Sequence, residues 1–172
     1  MKLKNYLKGD SGMSDIQKTI LTVYALIFAG SLLMMVPVGV IPFAGMSCLI
    51  VGLISAYIYR NRADDDLMNG HMSYVIRTIW WSSLVLLVGV LLFCSIVGAN
   101  GDLSMIHDLM EQAEIGLIPT ETDVRLMQHQ FLNANTKIIG LAALFGLLPY
   151  PLYLIYRLVG GIRKAIKGDP PA

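Results

Sequence analysis

Four stretches of this chain, 20–36, 43–59, 78–98 and 138–158, are free or nearly free of charged residues. That feature constrains the fold more than any other. A helix needs roughly 20 apolar residues to cross the hydrocarbon core, and the first two blocks, at about 17, reach the lower end of the workable range. A backbone in lipid must satisfy its own hydrogen bonds, which leaves helices or closed barrels, and these blocks lack the alternation of barrel strands. The chain is therefore expected to be all-α and integral to a membrane, with four transmembrane helices. Its composition, 55% hydrophobic against 15% charged residues, lies on the apolar side of the globular mix.

The formal net charge is only +1, but the charges are unevenly placed. Lys2, Lys4, Lys8 and Lys18 precede or open the first block, Arg60, Arg62 and Arg77 lie between the second and third, and Arg157, Arg163, Lys164 and Lys167 close the fourth. Of the 13 basic residues only Arg125 and Lys137 fall elsewhere. The bias of basic residues toward the cytoplasmic side puts both termini and the 60–77 segment inside, with 37–42 and 99–135 outside. The first block continues past Pro37 to Pro42 without a small-residue cleavage pattern, so it is expected to be retained. The expected layout is a basic cytoplasmic arm (1–17), transmembrane helices one to three (18–98), an extracytoplasmic helical insertion (99–135), transmembrane helix four (136–160) and a basic cytoplasmic tail (161–172). Leu3, Tyr6 and Leu7 oppose Lys4 and Lys8 in the arm, a pattern suited to an anionic leaflet.

Small residues punctuate the spans: Ala25, Ala29 and Gly30, then Gly52 and Ala56, then Ala142 and Gly146. Such spacing lets helix backbones approach closely in lipid. Cys48 and Cys94 are expected to be small buried thiols rather than a disulfide. Pro149 and Pro151 each remove a backbone donor and are expected to kink the fourth helix, and Gly160–Gly161 to end or loosen it.

The outer insertion carries Asp102, Asp108, Glu111, Glu114, Glu121 and Asp123 against a single arginine, Arg125. Leu103, Ile106, Met110 and Ala113 recur at helical spacing, as do Val124, Met127 and Phe131, which predicts two short amphipathic helices, the second leading into helix four. Thr120 with Asp123 has the form of a capping box. Met105, His107, Met110, Met127 and His129 are of ligand types that suit copper, but adjacent helical positions point apart, so no metal or cofactor is expected. No nucleophile elbow, phosphate loop, dinucleotide fingerprint or H-E-x-x-H motif occurs, and nothing points to nucleic acid, so the chain is not expected to be an enzyme.

The most charged segment between two apolar blocks is "RNRADDDLMNGHMSYVIRTIWW" (60–81). With a helix starting near His71, three- and four-residue spacing puts His71, Tyr74, Arg77 or Thr78, and Trp81 on one face. Arg157, near the end of helix four, is expected at similar depth. His71, Tyr74, Arg77, Trp81 and Arg157 are thus the candidate contacts to a partner or a lipid headgroup.

The same segment, with "IRTIWW" (76–81) and the later "YRLVGG" (156–161), resembles a family of small bacterial membrane proteins of four helices and unassigned function. That family is distantly related to a chloroplast inner-envelope import component. The likeness covers about 18–100 and 136–168, with Ile79 where an aromatic residue is usual and a longer outer segment than many members have. It implies a multi-pass protein of the bacterial inner membrane. The expected role is that of a non-enzymatic accessory or structural subunit packing against the lipid bilayer, another membrane protein or further copies of itself. The alternative is an oligomeric transport or pore component with the proline-bearing helix near the path.

Overall fold

The computed structural model describes residues 13–36, 38–116 and 120–171, and every regular element among them is helical. In chain order these are α1 (Asp15–Met34), α2 (Ile41–Arg62), α3 (Asp66–Asn100), α4 (Ser104–Glu114), α5 (Glu121–Ala142), a π-helical segment (Ala143–Leu147) and α6 (Pro149–Lys167). Four helices are long and apolar enough to cross a membrane: Asp15–Met34, Ile41–Arg62, Asp66–Asn100 and the 47-residue Glu121–Lys167, which takes in α5, the π segment and α6. The amphipathic pattern of residues 1–12 and the turn at Pro37 lie outside the described residues.

The helices form two compact units, residues 1–80 with 154–172, and residues 81–153. In the first unit, α1 begins at a capping box that "SDIQ" encodes. Gln17 N donates to Ser14 Oγ at 3.2 Å, and Ser14 N donates to Gln17 Oε1 at 2.9 Å. The helix thus starts inside the segment expected to be an arm. Its buried residues, Ile20, Val23, Tyr24, Ile27, Gly30 and Ser31, follow the three- and four-residue spacing of a single stripe. Against it α2 packs through Gly45, Gly52 and Ala56, its only buried positions. A Cβ on Gly30 would lie 2.8 Å from the Gly45 carbonyl oxygen, and one on Gly45 would lie 2.7 Å from that of Gly30. Backbone therefore meets backbone there, and Ala25 and Ala29, expected to share this role, are exposed.

The three-residue link 63–65 turns the chain into α3. Asp65 Oδ1 accepts from Met68 N at 3.0 Å, so one carboxylate of the Asp triplet satisfies an otherwise orphaned donor of the first turn. The helix starts at Asp66 rather than near His71, and its early residues Met68, His71, Met72, Tyr74, Val75, Ile76 and Thr78 are buried.

α6 does not stop at Gly160–Gly161. Gly161 is buried against the Tyr24 ring, and the helix runs to Lys167. It ends where Gly168, at φ +75°, takes the left-handed conformation that lets Gly168 N donate to Ala165 O (3.1 Å) and Asp169 N to Lys164 O (3.0 Å). That pair of bonds is a Schellman cap, and Pro170 follows it. Residues 161–167 are therefore helix and only the last few form a tail.

In the second unit α4 is a separate helix of 11 residues, ending at Gly116 with φ +77°. The face it turns to α5 is Met105, Ile106 and Leu109, which line a cleft of about 250 Å³ with Val124, Met127, Gln128 and Phe131. The expected α5 face is present, whereas on α4 Met110 points outward, 61% exposed. The Thr120–Asp123 box forms as its spacing predicts, with Asp123 N donating to Thr120 Oγ1 at 3.3 Å and Thr120 N to Asp123 Oδ2 at 3.1 Å. The second expected short helix does not end before the fourth span, because nothing in "FLNANTKIIG" breaks a helix and α5 continues to Ala142.

The prolines act one turn before themselves. Pro149 and Pro151 cannot donate to the Phe145 and Leu147 carbonyls, and their rings crowd that preceding turn. The backbone answers with the wider π segment at 143–147, where Leu148 N donates to Ala143 O at 3.0 Å. Gly146 in that segment packs on Gly89: a Cβ on Gly146 would lie 2.6 Å from the Gly89 carbonyl oxygen and 3.1 Å from Phe93 Cβ.

Candidate functional site

The first unit holds the main concentration of buried polar side chains, built where α1, α3 and α6 meet. Tyr24 is placed by the α1 stripe, His71 by the buried face of α3, and the chain beyond α6 by its glycine cap. His71, fully buried, has Nε2 3.0 Å from the Asp169 carbonyl oxygen and Nδ1 3.2 Å from the Tyr24 hydroxyl. A carbonyl can only accept, so Nε2 carries the proton. In the neutral ring Nδ1 is then the acceptor and the Tyr24 hydroxyl donates to it. The two rings meet edge-on at 82° with centroids 5.8 Å apart. Gln17 adds a further tie, Nε2 donating to the Ala165 carbonyl at 3.2 Å and also lying 3.4 Å from that of Ile166. The start of α1, the start of α3 and the end of α6 are thereby fastened together.

One turn further along α3, Tyr74 is locked from two sides. Its hydroxyl donates to the Arg157 carbonyl at 3.0 Å, and the Arg157 guanidinium carbon stands 4.2 Å from the centre of its ring, a cation–π contact. Arg157 Nε is buried without an acceptor among the described residues, as is the hydroxyl of the fully buried Thr78.

Of the five candidate residues, the structure brings together His71, Tyr74 and Arg157. Arg77 is exposed, and the buried position on the expected face belongs to Thr78. Trp81 falls in the second unit, 54% exposed, and lines an apolar groove of about 330 Å³ with Leu84, Val88, Phe145 and Pro149. His71 differs from its expected role in another way: it faces inward and its ring nitrogens are taken by Tyr24 and Asp169, so it holds helices together and is not presented to a ligand.

Sequence reasoning missed Tyr24, Gly161 and Asn135. Tyr24 and Gly161 read as ordinary members of apolar or small-residue runs, and only their contact gives them meaning. Asn135 sits 1% exposed in the second unit, its Oδ1 accepting from Asp102 N at 2.7 Å and its Nδ2 donating to Asp102 O at 3.0 Å and Phe131 O at 3.1 Å. It clamps the turn between α3 and α4. An Asn a few residues before the fourth apolar block, in the run "NANTK", was the available signal. Asp102 itself, one residue before the N-cap of α4, accepts from Ser104 N at 3.0 Å, and the Ser104 hydroxyl and N–H hold its carboxyl below the usual carboxylate range.

The thiols also depart from expectation. Both are free, but Cys94 is exposed and Cys48 only half-buried. In the outer segment His107 Nδ1 lies 3.1 Å from the Leu103 carbonyl oxygen, so that nitrogen is turned back onto its own helix.

Comparison of the chain with protein-family models, with curated proteins and with solved structures finds no match.

Proposed function

We propose that this is a multi-pass protein of the bacterial inner membrane, with both termini cytoplasmic, that works without catalysis as an accessory or structural subunit packed against lipid and other membrane proteins. The resemblance to the bacterial four-helix family belongs to the same proposal. The observation that carries it is a division of labour among side chains. Large apolar residues of the long helices point outward, among them Ile50, Ile54, Leu84, Val88, Leu91 and Phe145, while His71, Tyr24, Tyr74 and Asn135 are engaged inward with one another or with backbone. An apolar exterior over an interior whose polar side chains are mostly paired is what a bilayer or an apolar partner stabilises. The outer pair, α4 with the start of α5, and the basic end of the first unit are the regions offered for contact.

The pore alternative draws on the π segment, since irregular turns in membrane helices occur where cavities form. The depression beside it is lined by Gly140, Ala143, Leu144, Leu147, Leu148 and Pro151, which offer no polar side chain to a solute. The accessory reading is therefore preferred.

Extraction of tagged protein at native abundance into nanodiscs, followed by intact-complex mass spectrometry, tests this. A reproducible complex with another membrane protein supports the accessory reading. A bare homo-oligomer that conducts ions or solute in proteoliposomes refutes it in favour of the pore.

A further inference from the structure

We propose that Arg157, fixed on the ring of Tyr74, and the exposed Arg77 of the helix that carries that ring form a clamp for the phosphate of an anionic phospholipid of the inner leaflet. The proposal rests on the membrane reading above and gives its basic surface a specific ligand.

Four observations in the first unit converge on it. The Arg157 cation is fixed, not merely present: its guanidinium lies 4.2 Å above the Tyr74 ring, and that ring is held by its hydroxyl's bond to the Arg157 carbonyl. The cation is also incomplete. Its Nε is buried without an acceptor, and among the described residues no ion pair includes Arg157 or Arg77. A second cation is offered by the same helix as the ring, because Arg77 follows Tyr74 by three residues, a neighbouring position on the surface of α3, and is exposed. Finally, the flank of Arg157 is open. Gly160, three residues on and so a neighbour on the helix surface, contributes no side chain and is exposed.

The depth is right for a headgroup. Trp80 Nε1 donates to Tyr57 Oη at 3.0 Å in an exposed aromatic pair, the kind of group that settles at the membrane interface. Tyr74 is six residues nearer the start of α3, about 9 Å along the axis, which carries it and Arg157 from that belt out to the level of lipid phosphates. A half-buried cation in no ion pair among the described residues is stabilised at that level by a phosphate oxygen, and guanidinium groups take such oxygens in paired hydrogen bonds. Two cations favour an anionic lipid over a zwitterionic one. Exposed Ile155 and Tyr156 on the same helix as Arg157 favour a lipid over free phosphate, since they offer apolar surface for acyl chains.

The test uses full-length protein in mild detergent, titrated with phosphatidylglycerol or phosphatidylcholine and read by native mass spectrometry. Wild-type protein is expected to retain one phosphatidylglycerol in preference to phosphatidylcholine. Arg157→Gln and Arg77→Gln should each weaken that binding roughly tenfold, the worth of one charge-assisted contact. Arg157→Lys should keep part of it, and Arg163→Gln, exposed on the same helix, should leave it unchanged. Arg77 makes no buried contact, so Arg77→Gln should melt like wild type and keeps the test valid where Arg157→Gln does not fold. Unchanged lipid binding in Arg77→Gln and Arg157→Gln overturns the clamp. So does displacement of the lipid by excess inorganic phosphate, or loss in these variants of a bound protein while lipid is retained. Wild-type protein released from membranes by alkaline carbonate would instead refute the wider membrane reading, so the two failures are distinguishable.

Discussion

Gly161→Ala should damage this protein although alanine is the better helix former. A Cβ at 161 would stand 2.6 Å from Cε1 and Cζ of Tyr24 and closer still to its hydroxyl, and Tyr24 is fully buried. Overpacking of this kind costs about 1–3 kcal/mol. A displaced Tyr24 also loses its bond to His71 Nδ1, leaving a buried acceptor unpaired at a cost of about 1–3 kcal/mol. The propensity gain of Gly to Ala returns only about 1 kcal/mol. The net expectation is a loss of roughly 1–5 kcal/mol. The adjacent Gly160 provides a control, because a Cβ there meets nothing nearer than the Tyr74 hydroxyl at 3.9 Å. Gly160→Ala should be neutral or gain up to about 1 kcal/mol. Equilibrium unfolding in mixed micelles with increasing sodium dodecyl sulfate, followed by tryptophan fluorescence and circular dichroism, gives both values. A Gly161→Ala protein as stable as wild type, or equal shifts for the two variants, would refute the reasoning that Tyr24 is seated on Gly161.

Replacing His71 with Phe keeps the ring volume but strips the Asp169 carbonyl and the Tyr24 hydroxyl of their partner, costing about 1–3 kcal/mol per buried group left unpaired; hydrogen exchange should report lost protection at the Gly168 and Asp169 amides, which close the end of α6. Asn135→Leu removes all three bonds of the clamp at Asp102 and should lower stability by about 2–4 kcal/mol, checked by the same micelle unfolding assay. The Asp102 carboxyl is held below its ordinary range by Ser104, so its bond to the first residue of α4 is complete above the unfolded carboxylate pKa of about 3.9 and is lost as pH falls through the lower folded value. Amide exchange or NMR of α4 should show its first turn fraying only in that acid window. Fraying that begins above it would contradict the assignment.

The four helices long and apolar enough to cross a membrane, and their order, were legible because unbroken apolar length with charge kept to the ends is written directly in the sequence. The Thr120–Asp123 box was legible for a similar reason, since both partners lie within four residues of each other. Local rules also contained signals that went unread: the Ser14–Gln17 box, and Gly168 followed closely by Pro170 as a helix stop in place of Gly160–Gly161. What sequence could not decide was which polar residues face one another. Arg77 and Thr78 are adjacent and both fit a face drawn at three- or four-residue spacing, and only the packing of α6 against α3 settles that Thr78 goes inside and Arg77 outside. Likewise, a tyrosine in an apolar run, a histidine after a charged turn and a glycine before a basic tail carry no mark of belonging together. They become one site because α1, α3 and α6 bring residues 24, 71 and 161 into contact, a relation that depends on distances across helices and that no local periodicity encodes.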